Sequence, residues 1–412
     1  MSTIAILCVA LSLAAQTAKS PFPAGAGKKL VEQNCTLCHE AARIINTGHT
    51  RSEWDNVVHM MVNEGSPLPK NQIPTVAAYL AKYFPPKPVP DAVILSGPVK
   101  VDIQEWNVPT PGSRPHDPLA ARDGSLWYTG QMANVLGRLD PKTGQIKEYP
   151  LKTAHSGPHG LTEDKDGNIW FTANFEAYIG KLNPKTGQVT EYPMPDPNAR
   201  DPHTLVFDQQ GILWFTVQAA DMVGRLDPKS GEVKLVKVPT PKGLPYGIVV
   251  NSKGVPFFVE FGSNKIASID PQTMAIKEYP LPNAASRPRR IAITSDDVIY
   301  YSDYARGYLG RFDPKSGSMD EWMSPGGPKS RPYGITSLHD VIWYSESNVK
   351  PNTLVRFDPK SQDFQTWAIP SGGGVVRNMM PTPDGNLALA CSGVNKVALV
   401  KIESGSQQAA RR

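Results

Sequence analysis

The pentapeptide CTLCH, residues 35–39, places two of the chain's four cysteines two residues apart and follows them at once with one of its eight histidines. That spacing can serve a disulfide, half a zinc site or a covalent haem. A zinc site needs a second ligand pair at similar spacing, and none follows. A thioredoxin-like redox pair needs a strand–helix–strand context, which is absent. Two thiols so spaced can add to the two vinyl groups of one haem, and the next histidine then sits under the iron. Cys35 and Cys38 are therefore expected to anchor one haem c, with His39 as an axial ligand. His49, His59, Met60 and Met61 compete for the sixth position. Trp54, Val58 and Met61 share one helical stripe at i, i+4 and i+7, which favours Met61, with His59 next.

The flanks must position these groups. Residues 26–34 suit a short helix leading into the motif. Ser52 can cap a helix over SEWDNVVHMMVNEG that ends at Gly65, and Pro74 stands near the start of a third helix, IPTVAAYLAKYF. A segment over 20–84 is too small for a good core of its own, and a buried porphyrin would supply apolar volume. Trp54, Met61, Gly65, Leu68 and Tyr79-Leu80 fit a W-x(6)-M helix, a G-x-x-L turn and a YL helix, and in this the segment resembles small bacterial c-type haem domains. Residues 85–90, PPKPVP, cannot continue a helix and predict an extended, semi-rigid spacer within a linker over 85–100.

Beyond residue 100 the chain repeats itself. RPH, GPH, DPH, LPY, RPR, RPY and VVR open equivalent units whose second residues are 115, 158, 202, 245, 288, 332 and 376. Each unit continues with an Asp-Gly-like turn, an aromatic strand such as IWFTAN, a GRLDPKTG-type turn and a strand such as IKEYPL. A period in the forties with four short strands is the mark of a propeller blade. The last unit lacks its closing strand, and VDIQEWNVP (101–109) resembles it, so a seven-bladed all-β propeller over 101–404 is expected to close with its N-terminal strand in the last blade.

Equivalent positions in a propeller meet around one axis. The residue after each proline forms a first ring of His116, His159, His203, Tyr246, Arg289, Tyr333 and Arg377. The strand position about fifteen residues later forms a second of Gln131, Asn174, Gln218, Glu260, Asp303, Glu346 and Ser392. Polar residues where strands should be apolar predict a funnel at one mouth of the channel. Three consecutive histidines could bind a metal, although no carboxylate joins them in this reading.

The P-H-G-[IL] starts, the [IL]-W-F-T strands and the I-G-[RK]-L turns are similar to streptogramin B lyase and its relatives over essentially all of 101–404. That resemblance implies ring opening of a cyclic depsipeptide by elimination, with a histidine as base and two glutamates holding magnesium. His159 falls at the base position and His116 at a supporting one. Gly157 and Asn174 stand where the two metal carboxylates belong, which weakens a magnesium-dependent lyase.

The totals set the remaining bounds. Lys and Arg number 43 against 38 Asp and Glu, a net charge of +5 over 412 residues with no basic tract, which gives nucleic-acid binding no support. The opening MSTIAILCVALSLAAQTA has the form of an export signal cleaved by residue 18. A periplasmic or secreted protein with no membrane span after cleavage follows, ending in a disordered tail at 405–412. Cys391 stands alone and reads as a small buried residue. The composite expectation is an exported c-type cytochrome whose propeller binds a small-molecule substrate or a redox partner protein. A lyase, or a binding module without turnover, is the alternative.

Overall fold

A computed structural model describes residues 20–403. The expected export signal, Cys8 and the C-terminal tail lie outside those residues. Strands from Lys100 to Glu403 form seven four-stranded antiparallel sheets, the blades of a propeller. Strand β1 (Lys100–Asn107) pairs along its whole length with Lys396–Glu403, so the N-terminal strand completes the seventh blade and no blade is left with an open end.

The repeated motif explains the packing. In the second strand of blades one to five an aromatic residue lies over a small one in the third. A side chain at Gly137, Gly180, Gly224 or Gly310 would overlap the ring of Tyr128, Phe171, Phe215 or Tyr301. Blade four keeps the arrangement with Phe258 opposite Ala267. The rings involved are fully buried. Glycine in the G-[RK] pair is thus demanded by a close approach.

The first strand of every blade carries a bulge at one place. In blade one, β2 (Pro115–Ala120) pairs with β3 (Leu126–Gly130) at Pro115↔Gly130 and resumes at Pro118↔Tyr128, which leaves His116 and Asp117 together opposite Thr129. The same shift recurs after Pro158, Pro202, Pro245, Pro288, Pro332 and Val376. Side-chain alternation breaks there, so two successive residues per blade are freed from the ladder. The hydroxyl opposite the bulge ties neighbouring blades together. Thr129, Thr172, Thr216, Ser302 and Ser345 donate to the carbonyls of His159, His203, Tyr246, Tyr333 and Val376 on the next blade. Each such bond is worth about 1 kcal/mol.

Ahead of the propeller lie short helices: α1 (Lys28–Leu30), continuing as a π-helical turn over Val31–Cys35, then α2 (Ala41–Ile45), α3 (Arg51–Asn63) and α4 (Ile73–Tyr83). Their own apolar cluster is built from Val31, Ile44, Trp54, Val58, Leu68 and Leu80 among others. The cap of α3 is Thr50, not Ser52. The Thr50 hydroxyl accepts from the Glu53 amide and the Glu53 carboxylate accepts from the Thr50 amide, a reciprocal pair that Ser52 and Asp55 do not offer.

The linker is extended and is pinned to the propeller. Lys350 and Asp91 form a bridge, and Leu95 and Thr366 exchange bonds along the outer strand of blade six. An extended segment beside an unpaired strand edge satisfies its own backbone groups there. No helix among the described residues is long and apolar enough to cross a membrane.

Candidate functional site

Two places gather chemistry. The first is a cleft in the helical segment lined by Cys35, His39, Ile44, His49, Trp54, Val57, Val58, Met61, Leu68 and Leu80, with Arg43, Thr47 and Ser66 as its polar edge. Its cavity, about 160 Å³ and partly continuous with solvent, is smaller than an ordinary ligand pocket. Cys35 and Cys38 are free thiols. Cys35 is half-buried, and burial pushes its thiol up to about 11, whereas Cys38 is exposed. His39 Nδ1 lies 3.4 Å from the Glu40 carbonyl, leaving Nε2 as its free ring nitrogen.

Of the four residues considered for the sixth position, Met61 and His49 line the cleft. His59, ranked second from sequence, is turned away. Its Nδ1 faces Asp55, and its Cβ, like the Met60 amide, lies against Gly112 of the propeller. One face of α3 therefore lines the cleft while another docks on the propeller. Asn56 donates to the Gly393 carbonyl at 3.1 Å, Asn63 donates to the Pro111 carbonyl at 3.0 Å, and Glu64 meets His155.

The second place is the propeller axis, where the first polar ring assembles. His116 and His159 lie 3.7 Å apart by ring centroid, His159 and His203 3.8 Å, and His203 and Tyr246 3.9 Å. The Tyr246 and Tyr333 hydroxyls share a 2.5 Å hydrogen bond. Arg289 stacks 3.9 Å from the Tyr333 ring, and Arg377 lies 6.0 Å from it. All three histidines are buried, and burial first, then neighbouring cations and imidazoles, holds them neutral. His159 Nδ1 is directed at the His203 carbonyl, 3.1 Å away.

The second ring does not form a funnel. Glu260, Asp303 and Glu346 are fully buried, but each is bound to groups near its own blade rather than at the axis. Glu260 accepts from Ser263, and Asp303 from Arg306 and the Arg287 amide. Glu346 accepts from Ser324, Thr353 and the Gly326 amide. Asn174 accepts from Gln131 and donates to Asp201, and Ser392 donates to the Pro115 carbonyl. These residues end the second strand, beyond the bulge, where side chains brace the blade-to-blade loops.

The bulge instead supplies a different axial set, one residue after the first ring. Asp117 accepts from Arg290 at 2.6 and 3.2 Å, from Asn378 at 2.9 Å, and lies 2.9 Å from His116 Nδ1. Arg290 also reaches Thr204, which in turn contacts His203. A carboxylate does, then, join the histidines. His116, Asp117 and His159 bring ligand-type atoms within 4.8 Å of one another. Both Asp117 oxygens are nonetheless already engaged by Arg290, and its neighbours are cations, so the trio is poorly suited to a metal ion. The sequence signal for this set was the residue following each motif: D in RPHD, R in RPRR and N in VVRN.

A lyase-type magnesium pair does not fit these residues. A side chain at Gly157 would overlap the Phe175 ring, and Asn174 is committed to Gln131 and Asp201. Asp201, which opens the DPH unit, is a carboxylate that the sequence reading passed over. Burial raises it to about 7 despite its Asn174 partner.

Comparison with known proteins places the propeller. A streptogramin B lyase structure superposes with a TM-score of 0.67 at 27% identity, covering 74% of this chain and 98% of that one. Virginiamycin B lyase from Staphylococcus aureus gives 0.67 at 24% identity, covering 73% and 99%. The extracellular domain of the B. thetaiotaomicron protein BT4673 shares the fold at 17% identity, with a TM-score of 0.57, covering 72% of this chain and 42% of that one. A search of curated proteins finds no match. The virginiamycin B lyase family profile matches residues 98–337, more than half of the sequence, and the chain belongs to that family.

Proposed function

We propose that this family member is an exported c-type cytochrome, in which the helical segment holds one covalent haem and the propeller binds a substrate or a redox partner. The observation that carries the reading is that Cys35, His39 and Met61 line one largely apolar cleft, with Cys38 beside it in the same motif. Cys35 and Cys38 would anchor the group through thioethers, and His39 and Met61 would take the two axial positions. The bound haem would supply one-electron transfer, with a potential raised by a thioether ligand relative to a second imidazole. Trp54, Val58, Leu68 and Leu80 give the cleft an apolar wall, and Trp54 is itself held by a 2.9 Å bond from Nε1 to the Phe84 carbonyl. Helix α3 joins cleft to propeller, so a partner seated on that face lies close to the redox group. Export rests on the N-terminal signal pattern and accords with extracellular domains among proteins of the same fold.

The test is expression in a host that attaches haem to cysteine pairs, followed by mass and visible spectroscopy. A coloured product heavier by one haem, lost in Cys35→Ala plus Cys38→Ala, supports the reading. A colourless product of apo mass overturns it.

Family membership favours a second reading, elimination on a streptogramin-like cyclic depsipeptide. His159 would be its base. It predicts turnover that survives loss of both cysteines and is abolished by His159→Ala. No turnover with either protein leaves the propeller as a binding module.

A further inference from the structure

The axis of the propeller carries far more positive than negative charge. Arg114, Arg289, Arg290 and Arg377 gather there against one carboxylate, Asp117, which Arg290 consumes. The other three guanidiniums are only partly covered, and among the described residues none is paired with an acid. Arg114 offers its side chain to nothing better than the Met132 sulfur at 3.8 Å. The Nε atoms of Arg289 and Arg377 are buried without any acceptor. Arg114 feels Arg377 first and burial second, and together they bring its guanidinium down to about 9. Burial pushes the Tyr333 phenol up, yet Arg289, Arg377 and Arg290 outweigh it and bring it to about 8. Arg289 is ringed by Tyr333, Tyr304, Phe261 and Tyr246 at 3.9–5.1 Å, a collar that holds its fork in place.

Like charges crowd together with unmet hydrogen bonds at a stable site only when something else balances them. Arg114 is aimed by a left-handed backbone, φ 54°, at the opening turn of its blade, a position whose counterparts Asp201, Leu244, Arg331 and Val375 are also left-handed. The arginine fork matches the oxygens of a carboxylate or phosphate.

We propose that the arginine cluster at the propeller axis is a binding site for a small oxyanion, held by Arg114, Arg289 and Arg377 with the Tyr333 hydroxyl. Its sign is opposite to that of a metal-binding centre, and it stands whether or not the helical segment carries haem. It also predicts which small molecules the propeller selects: anionic ones, with aromatic carboxylates favoured if Phe261 and Tyr304 touch the ligand.

Calorimetric titration of the full-length protein with benzoate, acetate and inorganic phosphate tests this. At least one should bind with a dissociation constant in the millimolar range or tighter. Benzoate tighter than acetate would indicate an organic carboxylate, and phosphate tightest a free oxyanion. Arg377→Gln should weaken binding at least tenfold, while Lys142→Gln, at an exposed turn, should leave it unchanged. Ligand-free Arg377→Gln should melt no lower than the parent protein, because a repelling charge has gone. If none of the three anions binds, or if Arg377→Gln lowers the melting temperature while binding is unaltered, the arginines are structural and the proposal falls.

Discussion

Replacing Asp117 by alanine removes the single acid that meets Arg290, and the cost follows from the geometry. Asp117 and Arg290 are 2% and 3% exposed, so neither charge can turn to water when its partner is lost. A surface pair would be worth at most about 1 kcal/mol. Breaking a buried one by deleting a single partner costs about 3–5 kcal/mol, because the remaining charge stays desolvated. Here the remaining charge also joins Arg114, Arg289 and Arg377, which places the expectation at the upper end. Urea denaturation should show a lower midpoint with an unchanged slope, and the melting temperature should fall by about 10 °C. Added salt should not rescue the variant, since the pair is shielded from solvent ions. Asp117→Leu combined with Arg290→Met removes both charges and should recover at least half of the loss. An Asp117→Ala protein within 1 kcal/mol of the parent would refute the claim that this pair holds the axis together.

Asp201 is raised to about 7 in the folded state, so the native protein holds a proton that the unfolded chain has released. Stability should therefore fall as pH rises from about 4 to 7, and Asp201→Asn should flatten that slope in denaturation curves taken across the window. Thr172→Val leaves the Gly160 amide and the His203 carbonyl without their buried partner; a loss of about 2 kcal/mol in chemical denaturation is expected, and no loss would deny the hydroxyl ladder its role. Gly112, at φ 69°, has the Met60 amide 2.5 Å and the His59 Cβ 2.7 Å from where a side chain would begin. Gly112→Ala should loosen α3 from the propeller, seen as faster protease cleavage in the linker at 85–90 with the propeller's melting temperature changed little.

The seven blades were legible because most of them repeat the same local needs: a proline start, an aromatic strand, a small residue beneath its ring and an Asp-Pro or Asn-Pro turn. The closing strand was legible from the missing one. The first polar ring was also readable, since the period alone carries equivalent residues to one axis. The second ring misled because a fixed spacing does not say which way a side chain points. Glu260, Asp303 and Glu346 end their strands where side chains serve the neighbouring loops, and in sequence they look the same as residues that line a channel.

Sequence by itself determined the propeller, its closure and the placing of CTLCH beside a helix bearing Met61, because hydrophobic period, turn chemistry and covalent spacing are local properties of the chain. Tertiary structure alone decided which polar residues meet. The bulge after each opening proline turns two successive side chains out of alternation, so Asp117 finds Arg290 from 173 residues away. Docking turns His59 toward the propeller and leaves Met61 and His49 in the cleft. Such pairings depend on backbone departures from ideal geometry and on contacts between distant segments, neither of which leaves a periodic trace.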